Sequence, residues 1–142
     1  MIPDDIIASA RKLIGTKFLH QGRVPGLGLD CAGTLAAVLD DLGLPYIDEQ
    51  GYPRTPYDGQ LERNLDEQPS LRRIPAGEAA AGDVLVMRMK SAPQHIAIHA
   101  GSIRGQTYII HGSEEHGKVA HHRLDDLWRA RVVRAYRVER PA

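Results

Sequence analysis

Residues 28–35 read GLDCAGTL and contain the single cysteine of the chain, Cys31. Apolar side chains recur at helical spacing from this cysteine onward, which predicts a helix over residues 31–42. Asp30 is a favourable N-cap residue, so we expect Cys31 in the first turn of the helix.

A cysteine in the first turn of a helix lies where unpaired backbone N–H groups and the positive end of the helix dipole point. Both favour the thiolate, which is the nucleophilic form of cysteine. The same N–H groups could stabilise the oxyanion that forms when a carbonyl is attacked. Small residues at 32 and 33 would leave the approach to Cys31 open. The alternative is that Cys31 only packs in the core, because free cysteine is among the most buried residue types.

The chain around this helix changes from helical to β-rich patterns. Residues 3–14 predict an amphipathic helix, 15–29 a glycine-rich loop, 44–58 a second loop, and 59–68 a short polar helix. Strands are predicted at 82–89, 95–100, 107–111, 117–122 and 132–138, with one helical turn at 124–129. Helices followed by antiparallel strands indicate an α+β fold, with the helices packed on a central antiparallel sheet.

Composition and charge exclude several function classes. The chain has 142 residues, which fits one domain, 1–142, and its 18 basic and 18 acidic residues give no net charge. Bulk attraction to nucleic acid or to an anionic membrane is therefore not expected. A single cysteine excludes an intrachain disulfide. The N-terminus is acidic where a signal peptide is basic, so we expect synthesis in the cytoplasm without a signal peptide. The arginines near the C-terminus are expected on the solvated face and edge of the last strand.

The histidines are concentrated in the predicted sheet. Alternation puts His95, Ala97 and His99 on one face of their strand. Ala97 is small enough to let the end of the cysteine helix approach that face, which makes His95 a candidate general base for Cys31. His99 lies roughly 13 Å further along the strand and cannot take the same place. A hairpin with the next strand would bring His111 beside His95, where it could fix the imidazole tautomer.

Three more histidines, His116, His121 and His122, lie in a polar turn and strand and are expected to be solvated. A zinc site made from His111, His116 and either His121 or His122 is an alternative. Neither an HExxH nor a CxxC spacing supports it, so we predict no metal and no cofactor.

Four stretches together resemble the NlpC-type cell-wall cysteine peptidases. They are residues 28–35, AGDVLV at 81–86, HIAIHAG at 95–101 and YIIH at 108–111. The upstream run GTKFLHQGR at 15–23 resembles the form found in phage tail and prophage members. The resemblance implies a papain-like fold, in which the nucleophile starts a helix packed on an antiparallel sheet.

The same resemblance implies an activity and a set of site residues. The activity is hydrolysis of an amide bond in the peptidoglycan stem peptide, often between D-glutamate and a diamino acid, through an acyl-enzyme. Phage tail proteins are the implied protein partners, and the implied location is the virion tail, acting on the cell wall. The implied catalytic residues are Cys31, His95 and His111, and the implied substrate contacts are Asp30, Phe18 and His20.

Two positions depart from the common family pattern. Ala32 stands where serine is common and Phe18 where tyrosine is common, so two hydroxyl groups that could contact substrate are missing. Two other functions remain open at this point. A non-catalytic tail-assembly protein that keeps the fold predicts an unreactive Cys31. An acyltransferase or amidase on the same fold predicts a deep hydrophobic pocket beside it.

Overall fold

A six-stranded antiparallel sheet forms the centre of the molecule in the computed structural model, which describes residues 2–49, 51–53, 59–89 and 92–142. The helices are α1 (Ile2–Arg11), α2 (Cys31–Asp41), α3 (Gln60–Asp66) and α4 (Asp126–Arg129). The strands are β1 (Arg23–Val24), β2 (Gly28–Leu29), β3 (Leu71–Ile74), β4 (Val84–Met89), β5 (Ala92–Ile103), β6 (Gln106–Ser113), β7 (Lys118–Arg123) and β8 (Val132–Val138).

The strand order in the sheet is β3-β8-β4-β5-β6-β7, and every neighbouring pair is antiparallel. Strands β4 to β7 are neighbours in the sheet in the same order as in the sequence, an arrangement that antiparallel pairing allows. Strands β1 and β2 form a separate two-stranded hairpin next to the cysteine helix. This architecture confirms the predicted α+β fold with helices packed on a central antiparallel sheet.

Helix α2 starts and packs as its sequence predicts. The side chain of Asp30 caps it by accepting a hydrogen bond from the Gly33 N–H at 2.7 Å. Its buried residues Leu35, Val38 and Leu39 belong to a core cluster that also contains side chains of β5. A fully buried Leu or Val side chain contributes about 1.5–3 kcal/mol, so this stripe fixes the helix firmly on the sheet.

The two faces of β5 have different partners, and this overturns one expectation. Ile96 and Ile98 face the cluster that contains α2, whereas Ala97 belongs to a second cluster with Leu124 and Trp128 on the opposite face. The expectation that the helix end packs over Ala97 is therefore wrong. Ile96 and Ile98, the larger side chains at alternate positions, pack on the helix side, because a branched apolar side chain buries more surface than alanine.

Several element boundaries also differ from the sequence prediction. Helix α1 ends at Arg11, before Gly15 takes a φ of 92°. The predicted loop 15–29 contains β1 and β2, and β3 was not predicted at all. The last strand lies between β3 and β4, so the expectation that it forms a sheet edge is wrong.

Of the predicted loop 44–58, residues 50 and 54–58 lie outside the described residues. No helix within the described ranges is long and apolar enough to cross a membrane.

Candidate active site

Cys31 lies at the N-terminus of α2, next to β5 and β6, the strands that carry His95 and His111. The backbone N–H groups of Ala32 and Ile96 donate hydrogen bonds to its sulphur. Ile96 follows His95 in β5, so the thiol lies next to the strand position of that histidine. Cys31 and His111 also line one narrow crevice between α2 and the sheet. The structure therefore places Cys31 in one crevice with His111 and beside the backbone of the β5 segment that carries His95, and His95 contacts His111.

The pKa of the Cys31 thiol shifts in the direction opposite to the one expected from its helix position. Burial raises the pKa of Cys31 to about 12, and the Asp30 carboxylate raises the pKa further. The N–H groups of Ile96 and Ala32 and the Arg23 guanidinium act in the opposite direction. The effect of burial is larger, because the free-energy cost of forming a thiolate away from water exceeds the stabilisation by the helix dipole and these donors.

His95 and His111 are in direct contact, with 2.6 Å between His95 Nε2 and His111 Nδ1. Ile98 pairs with Ile110 across β5 and β6, and in continuation of that register His111 lies opposite Ala97, diagonal to His95. The small Ala97 side chain leaves room for the two rings to meet. His95 is 9% exposed and His111 1% exposed. Burial lowers the pKa of His95 to about 4 and lowers the pKa of His111 still further.

A third histidine extends the pair. His122 Nε2 lies 2.8 Å from His111 Nε2, and His122 Nδ1 lies 2.9 Å from the carbonyl oxygen of Arg123. His122 is half-buried, so the expectation that it is solvated is wrong, whereas His116 and His121 are exposed. The β6–β7 register explains the contact between His111 and His122. It pairs His111 with Ala120, which makes His122 the diagonal neighbour of His111.

The carbonyl at the end of this chain determines every tautomer in it. A carbonyl oxygen only accepts, so His122 carries its proton on Nδ1 and accepts at Nε2 from the Nε2–H of His111. His111 then accepts at Nδ1 from the Nε2–H of His95. His95 Nδ1 is left without a proton. This is the nitrogen that a general base needs free.

Asp30 has a second task besides capping the helix. Its carboxylate also accepts from the Gln21 N–H at 2.9 Å, from Arg23 Nη1 at 3.0 Å and from the hydroxyl of Tyr52. The side chain is 4% exposed. Four protein donors thus satisfy a buried charge that would otherwise be costly, and they join the loop before β1 to the helix start.

A cleft of about 510 Å³, including space open to solvent, adjoins Cys31. Its lining combines apolar and polar side chains. The apolar ones include Ala32, Ile47, Leu61, Leu65 and Ile96, and the polar ones are Tyr46, Glu49, Tyr52, Gln60, Asn64 and Gln68. Sequence analysis did not identify Tyr52, because this residue lies in a segment without periodicity.

Phe18 and His20 do not line this cleft. Phe18 is half-buried and forms an isolated bridge with Leu29. His20 packs edge-on against Tyr52, with 5.6 Å between the ring centroids. His20 therefore reaches the cleft only through the Tyr52 ring, and the structure does not bring Phe18 to the cleft.

The helix start and the sheet define the papain-like fold class. The model of the NlpC/P60 family matches residues 15–137, and the chain belongs to this family. Comparison with curated proteins finds no significant match.

Solved structures share the fold over nearly the whole chain. The NlpC/p60 domain of the peptidoglycan hydrolase SagA has a TM-score of 0.64 at 25% identity, covering 95% of this chain and 97% of that one. An NlpC/P60 family protein from Bacillus cereus has a TM-score of 0.68 at 21% identity, covering 98% of this chain and 40% of that one. The peptidoglycan hydrolase RipB from Mycobacterium tuberculosis has a TM-score of 0.65 at 19% identity, covering 97% and 65%. The chain thus spans less than two thirds of the last two relatives.

Proposed function

We propose that the protein is a cysteine endopeptidase that hydrolyses an amide bond in the stem peptide of peptidoglycan. The observation that carries this proposal is the contact between His95 and His111 beside the thiol at the start of α2. Membership of the NlpC/P60 family supports it, as do the SagA and RipB relatives, both described as peptidoglycan hydrolases.

In the proposed mechanism the resting pair is a neutral thiol and a neutral imidazole. As Cys31 attacks the carbonyl carbon, its proton passes to Nδ1 of His95, and a thioester forms after the amine leaves with that proton. A water molecule then attacks the thioester, His95 accepts a proton from it, and the thiol is restored. The backbone N–H of Cys31 contributes to the oxyanion site, where loss of one donor costs about 3 kcal/mol of barrier. His111 is the positioning residue for His95.

The proposed substrate contacts follow from charge and position. Glu49 lines the cleft, and its carboxylate favours a positively charged amine on the substrate. A stem peptide cut between D-glutamate and a diamino acid supplies such an amine. Asp30, whose charge is paired with Arg23, contributes to substrate binding by holding Tyr52 in the cleft wall. We propose that His20 contributes to substrate binding by packing against the Tyr52 ring. Phe18 contributes by its bridge to Leu29, the residue before Asp30.

The test is digestion of purified peptidoglycan, with mass spectrometry of the released fragments. We expect wild-type protein to release stem-peptide fragments that identify the cleaved bond. Cys31→Ala and His95→Gln should each lower the rate by about 10³-fold or more. Removing one member of a catalytic unit costs nearly as much rate as removing the whole unit. His121→Gln, an exposed histidine outside the pair, is the matched control. Full activity of folded Cys31→Ala would refute the proposed nucleophile.

An acyltransferase is a second candidate, because the apolar residues Leu61, Leu65 and Ile96 line the cleft beside the thiol. The same acyl-enzyme would then pass its acyl group to an amine instead of to water. Adding an amino acid amide to the digestion separates the two reactions: new amide products identify transfer, and free acids alone identify hydrolysis. No product of either kind would favour a non-catalytic protein that keeps the fold.

We also propose that phage tail proteins are its partners, on the resemblance of residues 15–23 to tail-associated members. Detection of the protein in purified virions, in the tail fraction, is the measurement that checks this.

A further inference from the structure

Three histidines, one of them a member of the His95–His111 pair, converge around the Trp128 ring. One ring nitrogen from each of His111, His116 and His122 lies within 4.8 Å of the other two. His111 is buried, His122 half-buried and His116 exposed, so the cluster runs from the core to the surface. An ion therefore has a path to it from solvent through His116. The mechanism proposed above uses His111 but has no task for His116.

The second nitrogen of every ring already has a partner. His122 Nδ1 donates to the carbonyl oxygen of Arg123 at 2.9 Å, and His116 Nδ1 lies 2.7 Å from the hydroxyl of Ser113. His111 Nδ1 contacts His95. Histidines that bind metals almost always have such an outer partner, which fixes the ring orientation and leaves Nε2 for the ion. The candidate ligand atoms are therefore Nε2 of His116 and the Nε2 atoms of His111 and His122, which contact each other.

The spacing suits a small tetrahedral ion after a modest rearrangement. Zn–N bonds of about 2.0–2.1 Å put two ligand nitrogens roughly 3.4 Å apart. His111 Nε2 and His122 Nε2 are 2.8 Å apart, and they would separate slightly as an ion replaced the proton between them. His116 would move inward, and it is exposed in the turn that joins β6 to β7.

An ion pair lies beside Trp128, the ring that the three histidines surround. The Arg131 guanidinium lies over the Trp128 ring at 4.4 Å and pairs with Glu115 at 3.6 Å. Glu115 belongs to the same turn as His116. Imidazole ligands suit zinc, copper and nickel, and three of them leave a position for water.

We propose that His111, His116 and His122 form a binding site for Zn²⁺ or a similar divalent transition-metal ion, and that the bound ion inhibits the enzyme. Inhibition follows from the tautomers. An ion on His111 Nε2 moves the ring proton to Nδ1, which then donates to His95 Nε2. His95 must accept there and keep its own proton on Nδ1, so it cannot take the proton of the thiol. Each ring still carries one proton, so no net protonation occurs.

The inhibitory part rests on the proposed hydrolase function, whereas metal binding does not. Trp128 reports binding directly, because it is the only tryptophan and its ring lies 5.0 Å from His111, 6.0 Å from His116 and 5.2 Å from His122. The test is a titration of chelator-treated protein with zinc chloride, followed by tryptophan fluorescence and by calorimetry. Peptidoglycan digestion is measured in parallel, with and without zinc and then with added chelator.

We expect one zinc ion per chain in the wild type and reversible inhibition. Loss of even an outer partner of a metal ligand lowers affinity by about 10–100-fold, so His116→Gln should bind zinc at least about ten-fold more weakly. Its digestion rate without zinc should be unchanged and its inhibition lost. His121→Gln, whose side chain packs near Tyr108 instead, should behave as the wild type. Cys31→Ser should still bind zinc, because the thiol is not a ligand.

Two results would overturn the proposal. Equal zinc affinity in wild type and His116→Gln would exclude this cluster, and loss of zinc binding in Cys31→Ser would assign the ion to the thiol. Zinc bound at the cluster with no effect on digestion would refute the inhibition alone. If the protein digests nothing, the fluorescence and calorimetry still decide whether the site exists.

Discussion

Acidification should unfold the protein through the buried histidine pair. Burial lowers the pKa of His95 from 6.5 to about 4. In the unfolded chain His95 takes up a proton below about pH 6.5, whereas in the folded protein it stays neutral until about pH 4. Stability is therefore complete above the unfolded pKa and is lost as the pH falls through this window. At about 1.4 kcal/mol per pKa unit the full loss is about 3 kcal/mol, and the loss between pH 7 and pH 4.5 is about 2 kcal/mol.

The assay is urea unfolding followed by Trp128 fluorescence at several pH values from 7 down to 4.5. His95→Gln removes the titrating group and keeps an amide that can donate to His111, so its free energy of unfolding should fall by about 2 kcal/mol less over this range than that of the wild type. The carboxylates titrate in both proteins and cancel in the comparison. His121→Gln is the comparison variant: partial burial also lowers the pKa of His121, but this side chain is exposed, so solvent screening should leave a smaller effect on stability than at His95. Equal pH dependence in wild type and His95→Gln would refute the reasoning.

Three further results are expected. Alkylation of Cys31 by iodoacetamide should rise steadily with pH and show no plateau below pH 8, because burial raises its pKa; a plateau near pH 6–7 would show a preformed thiolate. Gly112→Ala should destabilise the protein by about 1–3 kcal/mol in urea unfolding, because an added Cβ would lie 2.5 Å from the Asp30 carbonyl oxygen, whereas Gly77→Ala, with open space around it, should change little. His122→Phe should lower kcat with little change in KM, because the hydrogen bond that fixes the His111 tautomer is lost. Restoration of kcat by His122→Gln, whose amide oxygen can accept a hydrogen bond, would support a positioning role. An unchanged kcat in His122→Phe would contradict that role.

Local sequence determined much of the site. The Asp30 cap, the start of α2 and the alternation around His95 are short-range properties, and α2 and the strand that carries His95 formed where periodicity predicted them. The resemblance to the NlpC type rested on the same short stretches, and the family match over residues 15–137 confirms it. The catalytic roles of Cys31, His95 and His111 remain predictions.

Three features depend on tertiary packing: the face of β5 that carries α2, the direction of the Cys31 pKa shift and the contacts among the histidines. The sequence predicted a thiolate from the helix dipole, but burial among neighbours distant in sequence reversed the direction of the Cys31 pKa. It predicted that His122 is solvated, but the β6–β7 register brought it to His111. The physical reason is the same in both cases. Capping and periodicity act within a few residues, whereas desolvation and cross-strand contacts depend on residues that only folding brings together.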